Sequence, residues 1–369
     1  MQSYKIFFSY LLFMDIQQRI KAFVKLGSFL KQFDSVFEEG SGLSDLNEKY
    51  AAPFSELILI QKAHNGWFVE SNVRKAINAL ADNLTNAKLT NWLSNYNCKK
   101  ESLKRVGVIM AGNIPLVGFQ DYLCVLISGN VLVAKLSKQD SMILAFVSKV
   151  LISIEPSFSS RIIFTEGKLE NMHGFIATGS NNSARYFEYY FGKYPHIIRK
   201  NRNSIAVLDG NETDDELGLL GNDIFDYFGL GCRSVSKVFL PCGFPLDKLF
   251  GALYPFHNII ENNKYANNFD YNRVIYLMNQ QSILENGFLL LKEDIGLGSP
   301  IAVLYYEYYN SIEAVKKRIN EQRGEIQCVI ASKSVIKDAV AFGDSQCPTL
   351  YDYSDGVDVM NFIVSLDKK

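Results

Sequence analysis

From residue 106 onward the sequence alternates short runs of β-branched and other apolar residues with stretches long enough to form a helix. Each run has the length of a buried strand and is bounded by glycine or polar turn residues. Buried strands that alternate with helices form parallel sheets covered by those helices. The pattern therefore predicts a doubly wound α/β fold. The first series of runs is VGVIMAG, NVLVAKL, RIIFTEG, GFIATGS and SIAVLDG.

A second series of the same kind predicts a second α/β domain. Its runs are SKVFLP, RVIYLMN, IAVLYYEY and IQCVIAS, and a helix is predicted over 311–322. The first hundred residues have helical spacing instead, since apolar residues from Ile20 to Phe33 fall near one stripe and similar spacing recurs over 72–93. We expect a helical N-terminal region followed by two α/β domains that meet near residue 205.

Composition limits the partners of the chain. The 369 residues have a formal net charge of −1 and a sequence pI near 6.5, so no broad basic field is available for nucleic acid. The six cysteines are scattered without a Cys-x-x-Cys pair and the histidines do not cluster, so we expect neither a disulfide framework nor a metal site.

The N-terminus has an apolar run at positions 6–13. This run is too short to span a bilayer and lacks a small-residue cleavage site. It is open to three interpretations: a packed helix, a true start at Met14, or a signal segment. We expect no stable membrane insertion and a cytoplasmic location.

One cysteine has unusual neighbours. Cys232 lies in DYFGLGCRSVSKVFLP, between small glycines and a cation rather than among aliphatic residues. This setting predicts a reactive thiol, because the thiolate is favoured by positive charge and by helix N-termini. Arg233 either lowers the pKa of this thiol or forms a surface ion pair, and the sequence leaves both open.

Polar residues follow the first two predicted strands of the first domain. Asn113 follows the first strand, and Lys135 and Ser137 come at the end of the second. Ligands of open α/β sheets bind beyond the carboxyl ends of the strands, so these side chains are candidates for a site. Taken singly, Asn113 is also a common turn residue and Lys135 an ordinary solvated strand end.

A third strand ends at Thr178-Gly179-Ser180 and leads into a helical pattern. Backbone N–H groups at a helix start form an anion site, and glycine allows close approach of a pyrophosphate. Junctions of this composition are common, so the motif alone does not fix a phosphate site.

The order of these motifs resembles that of the aldehyde dehydrogenase superfamily, from about Val106 to about residue 320. Within it the chain looks most like the long-chain acyl-CoA reductases, the LuxC-type family that supplies fatty aldehyde to bacterial luciferase. The stretches that carry this finer resemblance are GCRSVSKVFLP, RKNRNSIAVLDG and QCPTLYDYSDGVDVMNF.

The resemblance implies an aldehyde-dehydrogenase-like fold with a Rossmann-like cofactor domain. It implies the helical region and this dinucleotide-binding domain over 1–205, a catalytic domain over 206–345, and a tail over 346–369 that returns to the cofactor domain. Cys232 matches the nucleophile of the superfamily. Asn113 matches the asparagine that, with the cysteine N–H, forms the oxyanion hole, and such donors contribute about 3 kcal/mol each.

The cofactor residues follow from the same resemblance. Lys135 matches the lysine that holds the adenosine ribose, and Gly179 and Ser180 match the pair beside the pyrophosphate. Asp294, or else Glu293, matches the acidic residue that holds the nicotinamide ribose.

Two departures from the superfamily pattern refine the expected activity. Where acid-forming relatives have a glutamate that activates hydrolytic water, this chain has Ile198 within HIIRKNRNS, and the missing base favours a reductase. His196 is a candidate proton relay there, or a structural residue. Where NAD-preferring relatives have an acidic residue, this chain has Lys138, which favours NADPH.

The expected activity is reduction of an acyl-CoA by NADPH, through an acyl group on Cys232, to a fatty aldehyde. The alternatives are an acyl-phosphate reductase of the glutamyl phosphate reductase kind, a cysteine acyltransferase without redox chemistry, and an inactive scaffold. We expect a homo-oligomer, with an acyl-activating enzyme as a further partner.

Overall fold

The computed structural model describes residues 14–34, 42–98 and 102–368. The apolar run at positions 6–13 lies outside these residues. The chain forms two compact units, one of residues up to Lys200 together with Thr349–Lys369, the other of Asn201–Pro348. No helix in the described part of the chain has both the length and the apolar character needed to cross a membrane.

The first unit begins with the predicted helical region. Asp15 and Gln18 form a capping box at the start of the first helix, which satisfies backbone N–H groups that the helix itself leaves unpaired. Residues spaced three and four apart, from Ile20 to Leu30, are buried on one side of this helix. The described residues of this region form helices α1 (Ile16–Lys31), α2 (Ser44–His64), α3 (Glu70–Asn83) and α4 (Asn86–Leu93).

The first unit then forms a five-stranded sheet in which every pair of neighbours is parallel. Strand order is β3-β2-β1-β4-β5, so the chain builds outward on one side of β1 and then crosses to the other side. Such a reversal leaves a crevice at the carboxyl ends of the two central strands. The strands are β1 (Arg105–Ile109), β2 (Val131–Lys135), β3 (Ile162–Phe164), β4 (Gly174–Thr178) and β5 (His196–Arg199), and the helices between them are α5 (Phe119–Ile127), α6 (Met142–Ile154) and α7 (Asn181–Phe191).

The C-terminal segment completes the first unit. Helix α12 (Val359–Ser365) packs against α5. The indole N–H of Trp92 donates to the Tyr353 hydroxyl at 2.9 Å, and the Tyr96 hydroxyl donates to Asp358, also at 2.9 Å. Buried hydrogen bonds of this kind fix the segment on the N-terminal helices.

The second unit forms a six-stranded sheet in the order β11-β6-β7-β10-β9-β8, parallel except for the short edge strand β8. Its strands are β6 (Asn203–Val207), β7 (Val235–Pro241), β8 (Leu284–Glu285), β9 (Leu290–Glu293), β10 (Val303–Tyr309) and β11 (Ile326–Ile330). Its helices are α8 (Asp214–Phe225), α9 (Leu246–Leu253), α10 (Asn263–Met278) and α11 (Ile312–Glu321). The mixed α/β class with parallel sheets agrees with the sequence prediction.

One local prediction differs from the structure. The run RVIYLMN at 273–279 was expected to be a strand, but it lies in α10 up to Met278. Asn262 caps this helix, and Tyr265, Phe269 and Tyr276 are buried at helical spacing along it. The two units divide between Lys200 and Asn201, just before β6, which pairs with β11 and β7.

Candidate active site

The loops after β1 and β2 pack against each other at the carboxyl edge of the first sheet. Asn113 is half-buried in the loop between β1 and α5. Leu116, in the same loop, has a left-handed backbone (φ 58°) and donates its N–H to the carboxylate of Asp140 at 2.7 Å. A Cβ on Gly112 would lie 2.5 Å from the Ser137 hydroxyl oxygen. The structure therefore brings the Asn113 loop against Ser137.

Asp140 is a buried carboxylate that the sequence analysis did not identify. Its side chain is 6% exposed, and its Oδ1 atom has no hydrogen-bond partner among the described residues. Burial raises the pKa of Asp140 to about 7, although the Leu116 N–H acts in the opposite direction. The only sequence signal was an acidic residue between a strand end and an apolar helix.

The two lysines at the end of β2 have different environments. Lys135, the last residue of the strand, is half-buried, and its carbonyl accepts the N–H of Met110 at 3.0 Å. Lys138 is exposed in the following turn. Both ammonium groups belong to the edge where this sheet type binds ligands.

Thr178 ends β4 beside a buried ion pair. Arg199, at the end of β5, donates two hydrogen bonds to Asp121 at 2.7 and 2.9 Å. It also donates to the Thr178 hydroxyl at 3.3 Å. The pair fixes the Thr178 side chain, and the sequence analysis missed it because Asp121 lies 78 residues away in α5.

Gly179 and Ser180 form the junction between β4 and α7. The Ser180 hydroxyl caps the helix by accepting the N–H of Ser183 at 3.2 Å. A Cβ on Gly179 would lie 2.9 Å from the Phe187 ring, so this position needs glycine to approach its own helix. The N-terminus of α7, with its partial positive charge, follows directly from the carboxyl end of β4.

His196, the candidate proton relay, lies at the other end of its strand from Arg199. It is the first residue of β5 and pairs with Phe175, whereas Arg199 pairs with Thr178. His196 and Arg199 are three residues apart along this strand, which corresponds to about 10 Å. The ring Nδ1 is 2.8 Å from the Tyr194 carbonyl, and Nε2 is 3.7 Å from Glu188. His196 is therefore at the opposite edge of the first sheet from Thr178.

In the second unit, Cys232 is part of a tight turn that opens β7. The N–H of Ser234 donates to the Gly231 carbonyl at 3.0 Å and closes the turn. The Ser234 hydroxyl accepts from the Gly231 N–H at 3.2 Å and from the Gln346 amide at 3.1 Å. The Ser204 hydroxyl donates to the Cys232 carbonyl at 2.9 Å. These bonds fix the backbone that carries the partly exposed Cys232.

The residues before this turn have unusual backbone angles. Tyr227, Phe228 and Gly229 have φ of 53°, 60° and 73°, and both aromatic side chains are buried. A non-glycine residue in the left-handed region costs of order 1–3 kcal/mol, and such strain is concentrated at functional sites. The run ends three residues before Cys232.

The surroundings of the Cys232 thiol include the neighbouring Arg233 and the start of β7. Arg233 directs its Nη1 atom to the sulfur of Cys328, at 3.2 Å. Cys232 precedes a strand, not a helix.

The acidic pair lies at the end of β9. The Gly296 N–H donates to the Asp294 carboxylate at 2.8 Å, and Lys292 forms an ion pair with it. Burial alone would raise the pKa of Asp294, but these partners lower it. Glu293 is exposed and makes no hydrogen bond or ion pair with the described residues. Asp294 is thus held in one orientation, whereas Glu293 is not.

Comparison with known proteins defines the fold. No family model and no curated protein sequence matches the chain. Solved structures do match, among them aldehyde dehydrogenase 21 from Physcomitrella patens in complex with the reaction product succinate (TM-score 0.66, 12% identity, 95% of this chain and 88% of that chain). The chain has an aldehyde-dehydrogenase-like fold.

Two further structures give the same result. The aldehyde dehydrogenase KauB from Pseudomonas aeruginosa matches with TM-score 0.59 and 12% identity, over 89% of this chain and 79% of that chain. The indole-3-acetaldehyde dehydrogenase AldA from P. syringae, solved in complex with NAD+ and IAA, matches with TM-score 0.58 and 11% identity, over 88% and 78%.

Proposed function

We propose that the protein is an aldehyde-forming oxidoreductase that reduces acyl-CoA with NADPH, similar to the LuxC-type reductases. One observation carries the proposal. Among the described residues, the non-glycine left-handed residues other than Asn and Asp are Leu116, Tyr227, Phe228, Gln280 and Ala302. Three of these five lie within five residues of Asn113 or Cys232. Strained backbone is concentrated at functional sites, so these values support a functional role for each of the two loops.

In the proposed acylation, the Cys232 thiolate attacks the thioester carbonyl of acyl-CoA. The developing oxyanion accepts hydrogen bonds from the Asn113 amide and the Cys232 N–H. The C–S bond to CoA then breaks and CoA leaves as a thiolate. The acyl group remains bonded to the Cys232 sulfur. The fixed backbone around Cys232 supports this role, because oxyanion donors must be in place before the charge develops.

Hydrolysis of the acyl group is disfavoured in this proposal. Ile198, at the position of the expected base, is an apolar residue of β5 paired with Ala177. The stretch 196–203 contains no Asp or Glu. An acyl enzyme without a nearby base keeps its acyl group long enough to be reduced.

The first unit has residues that fit a nicotinamide dinucleotide. Lys135 and Lys138 supply positive charge after β2, and the start of α7 supplies backbone N–H groups at Gly179 and Ser180. When bound, the cofactor supplies the hydride that reduces the thioester, after which Cys232 releases the aldehyde.

In the second unit, the fixed carboxylate of Asp294 is a better candidate than Glu293 for binding a ribose hydroxyl, because its orientation is already set. Lys138 favours NADPH.

The buried ion pair of Lys237 supports acyl-CoA over an acyl phosphate. A phosphate leaving group calls for free cations at the thiol. Arg233 is directed to Cys328, and Lys237 is buried against Glu307. The charge of Lys237 is therefore already paired with a carboxylate.

The proposal is tested by labelling with radioactive acyl-CoA in the absence of cofactor. We expect stable acylation of the wild type at Cys232, none in Cys232→Ala, and wild-type labelling in Cys242→Ala, which lacks another exposed thiol. Addition of NADPH should then release aldehyde. Labelling that persists in Cys232→Ala contradicts the proposal, as does release of a free acid. Acyl-CoAs of increasing length would define the chain length.

A further inference from the structure

A buried lysine of the second unit has no part in the acylation described above. Lys237, in β7, is 0% exposed. Its ammonium donates to the Glu307 carboxylate at 2.6 Å and to the backbone carbonyl of Asp294. The Phe239 ring centre lies 5.1 Å from the same nitrogen. Burial lowers the pKa of Lys237, and Glu307 partly offsets this effect.

Two more side chains hold the same stretch of backbone. Arg318 of α11 donates to Glu307 and to the carbonyl of Ile295. The Ser236 hydroxyl donates to the carbonyl of Leu297 at 2.7 Å. Three carbonyls of the turn after β9 are thus bound by side chains from β7 and α11. We call residues 293–297 the acidic turn.

The sheet register explains how Lys237 reaches this turn. Lys237 pairs with Tyr305 of β10, and Tyr305 pairs with Lys292 of β9. Paired residues of neighbouring strands point to the same face of a sheet, as do residues two apart on one strand. Lys237 and Glu307 therefore share a face with Lys292, and the ammonium crosses one strand to bind the residue after β9.

The anchored turn displays its remaining groups outward. Glu293 is exposed and Ile295 is 78% exposed, while the Asp294 carboxylate is oriented by Lys292 and Gly296. A buried ion pair rarely stabilises the folded state more than apolar residues of the same size would. Orienting neighbouring groups is therefore the better-attested use of such a cluster.

We infer that Lys237 is a positioning residue, which acts through the backbone of the acidic turn to set the Asp294 carboxylate for the bound cofactor. The inference rests on the proposed function. It predicts that loss of the ammonium affects cofactor binding and the reductive step, but not acyl transfer to Cys232.

The test uses the full chain with Lys237→Met, which keeps the length of the side chain and removes its charge. Ser236→Ala, which removes only a hydroxyl, serves as a milder second variant. Lys248→Met is the matched control, because Lys248 also donates to a backbone carbonyl, that of Glu212, at 2.7 Å. Three quantities are measured: NADPH and NADH affinity by fluorescence, acylation of Cys232 without cofactor, and hydrogen exchange of the amides at 294–297.

We expect Lys237→Met to weaken cofactor binding or slow the reductive step about tenfold, since small misplacements of a positioned group are costly. Exchange at 294–297 should rise, and acylation should keep its wild-type rate. Ser236→Ala should change the same quantities less, and Lys248→Met none of them.

Two outcomes overturn the inference. In one, both turn variants bind and use the cofactor as the wild type does. In the other, Lys237→Met slows acylation and reduction equally, which indicates a general structural role. If the wild type binds neither NADPH nor NADH, the proposed function fails as well, so the wild-type titration separates the two failures.

Discussion

Leu116 and Asp140 join two loops of the first unit through one hydrogen bond of 2.7 Å. The donor belongs to a left-handed residue of the Asn113 loop, and the acceptor is a buried carboxylate after β2. The conformation of the loop that carries Asn113 therefore depends on a group whose charge changes near neutral pH.

The protonation of Asp140 predicts a pH dependence of stability. Burial raises its pKa to about 7, from 3.8 in the unfolded chain. Between these values the folded state holds a proton that the unfolded state has released, so the contribution of Asp140 to the free energy of unfolding decreases as pH rises through this window. Relative to that of Asp140→Asn, the free energy of unfolding of the wild type should decrease by on the order of a few kcal/mol between pH 5 and pH 8.

The measurement uses urea unfolding followed by tryptophan fluorescence. The two tryptophans of the sequence, Trp67 and Trp92, both belong to the first unit, so their signal reports on the unit that contains Asp140. The difference in unfolding free energy between the wild type and Asp140→Asn is compared at the two pH values. If the difference in unfolding free energy is the same at pH 5 and pH 8, the prediction is contradicted.

Asn113→Ala should slow acylation of Cys232 by about 100-fold, because the lost donor acts mainly in the transition state. Affinity for NADPH should change little. Rapid-mixing measurement of CoA release gives the first quantity and fluorescence titration the second. Equal losses in both would identify Asn113 as a structural turn residue.

Lys138→Glu should weaken NADPH binding and narrow the preference over NADH. An exposed ion pair with the 2′-phosphate is worth about 1 kcal/mol, or about fivefold in affinity, and is screened by salt. Titration of both cofactors at low and high salt measures the effect. Lys149→Glu, an equal charge change on an exposed residue of α6, is the control. An unchanged NADPH-to-NADH ratio would withdraw the NADPH assignment.

Lys135→Ala should weaken NADPH and NADH to the same degree, because its proposed partner is the ribose that both cofactors contain. The same titrations measure this. A loss confined to NADPH would mean that Lys135, rather than Lys138, contacts the 2′-phosphate.

Asp121→Asn should destabilise the first unit by about 3–5 kcal/mol, because it leaves the buried Arg199 cation without its counter-ion. Tryptophan-detected unfolding in urea measures the loss. Asp82→Asn removes an exposed pair with Lys31 in the same unit and should cost about 1 kcal/mol or less. Similar losses of unfolding free energy in the two variants would show that burial of the Asp121–Arg199 pair does not matter, and would contradict the prediction.

The fold class could be predicted from the sequence because the patterns that indicate it are local. β-branched runs such as 106–112 and 130–136 become buried parallel strands, since few other arrangements bury them on both faces. Lys135 and Thr178 lie at the ends of two such strands, β2 and β4. The run 273–279 was misassigned because a short apolar run fits a strand or a buried helix equally well.

The remaining site features depend on contacts between distant residues. Strand direction places His196 at the amino end of β5, which its neighbours in sequence do not reveal. Asp140 acts on a loop 24 residues earlier, and Lys237 on a turn 57 residues later. A lysine within the apolar run SKVFLP was the one available signal, because a charge in a buried strand requires a partner.

The return of the C-terminal segment to the first unit sets an order of events during translation. The unit that begins first is completed last, because Trp92 and Tyr96 lack their partners until Tyr353 and Asp358 have been made. At about 5–20 residues per second, the ribosome needs roughly eight to thirty seconds to proceed from Lys200 to that segment. Throughout this interval the whole second unit emerges, while the nascent first unit exposes an uncovered surface to the chaperones of the cell.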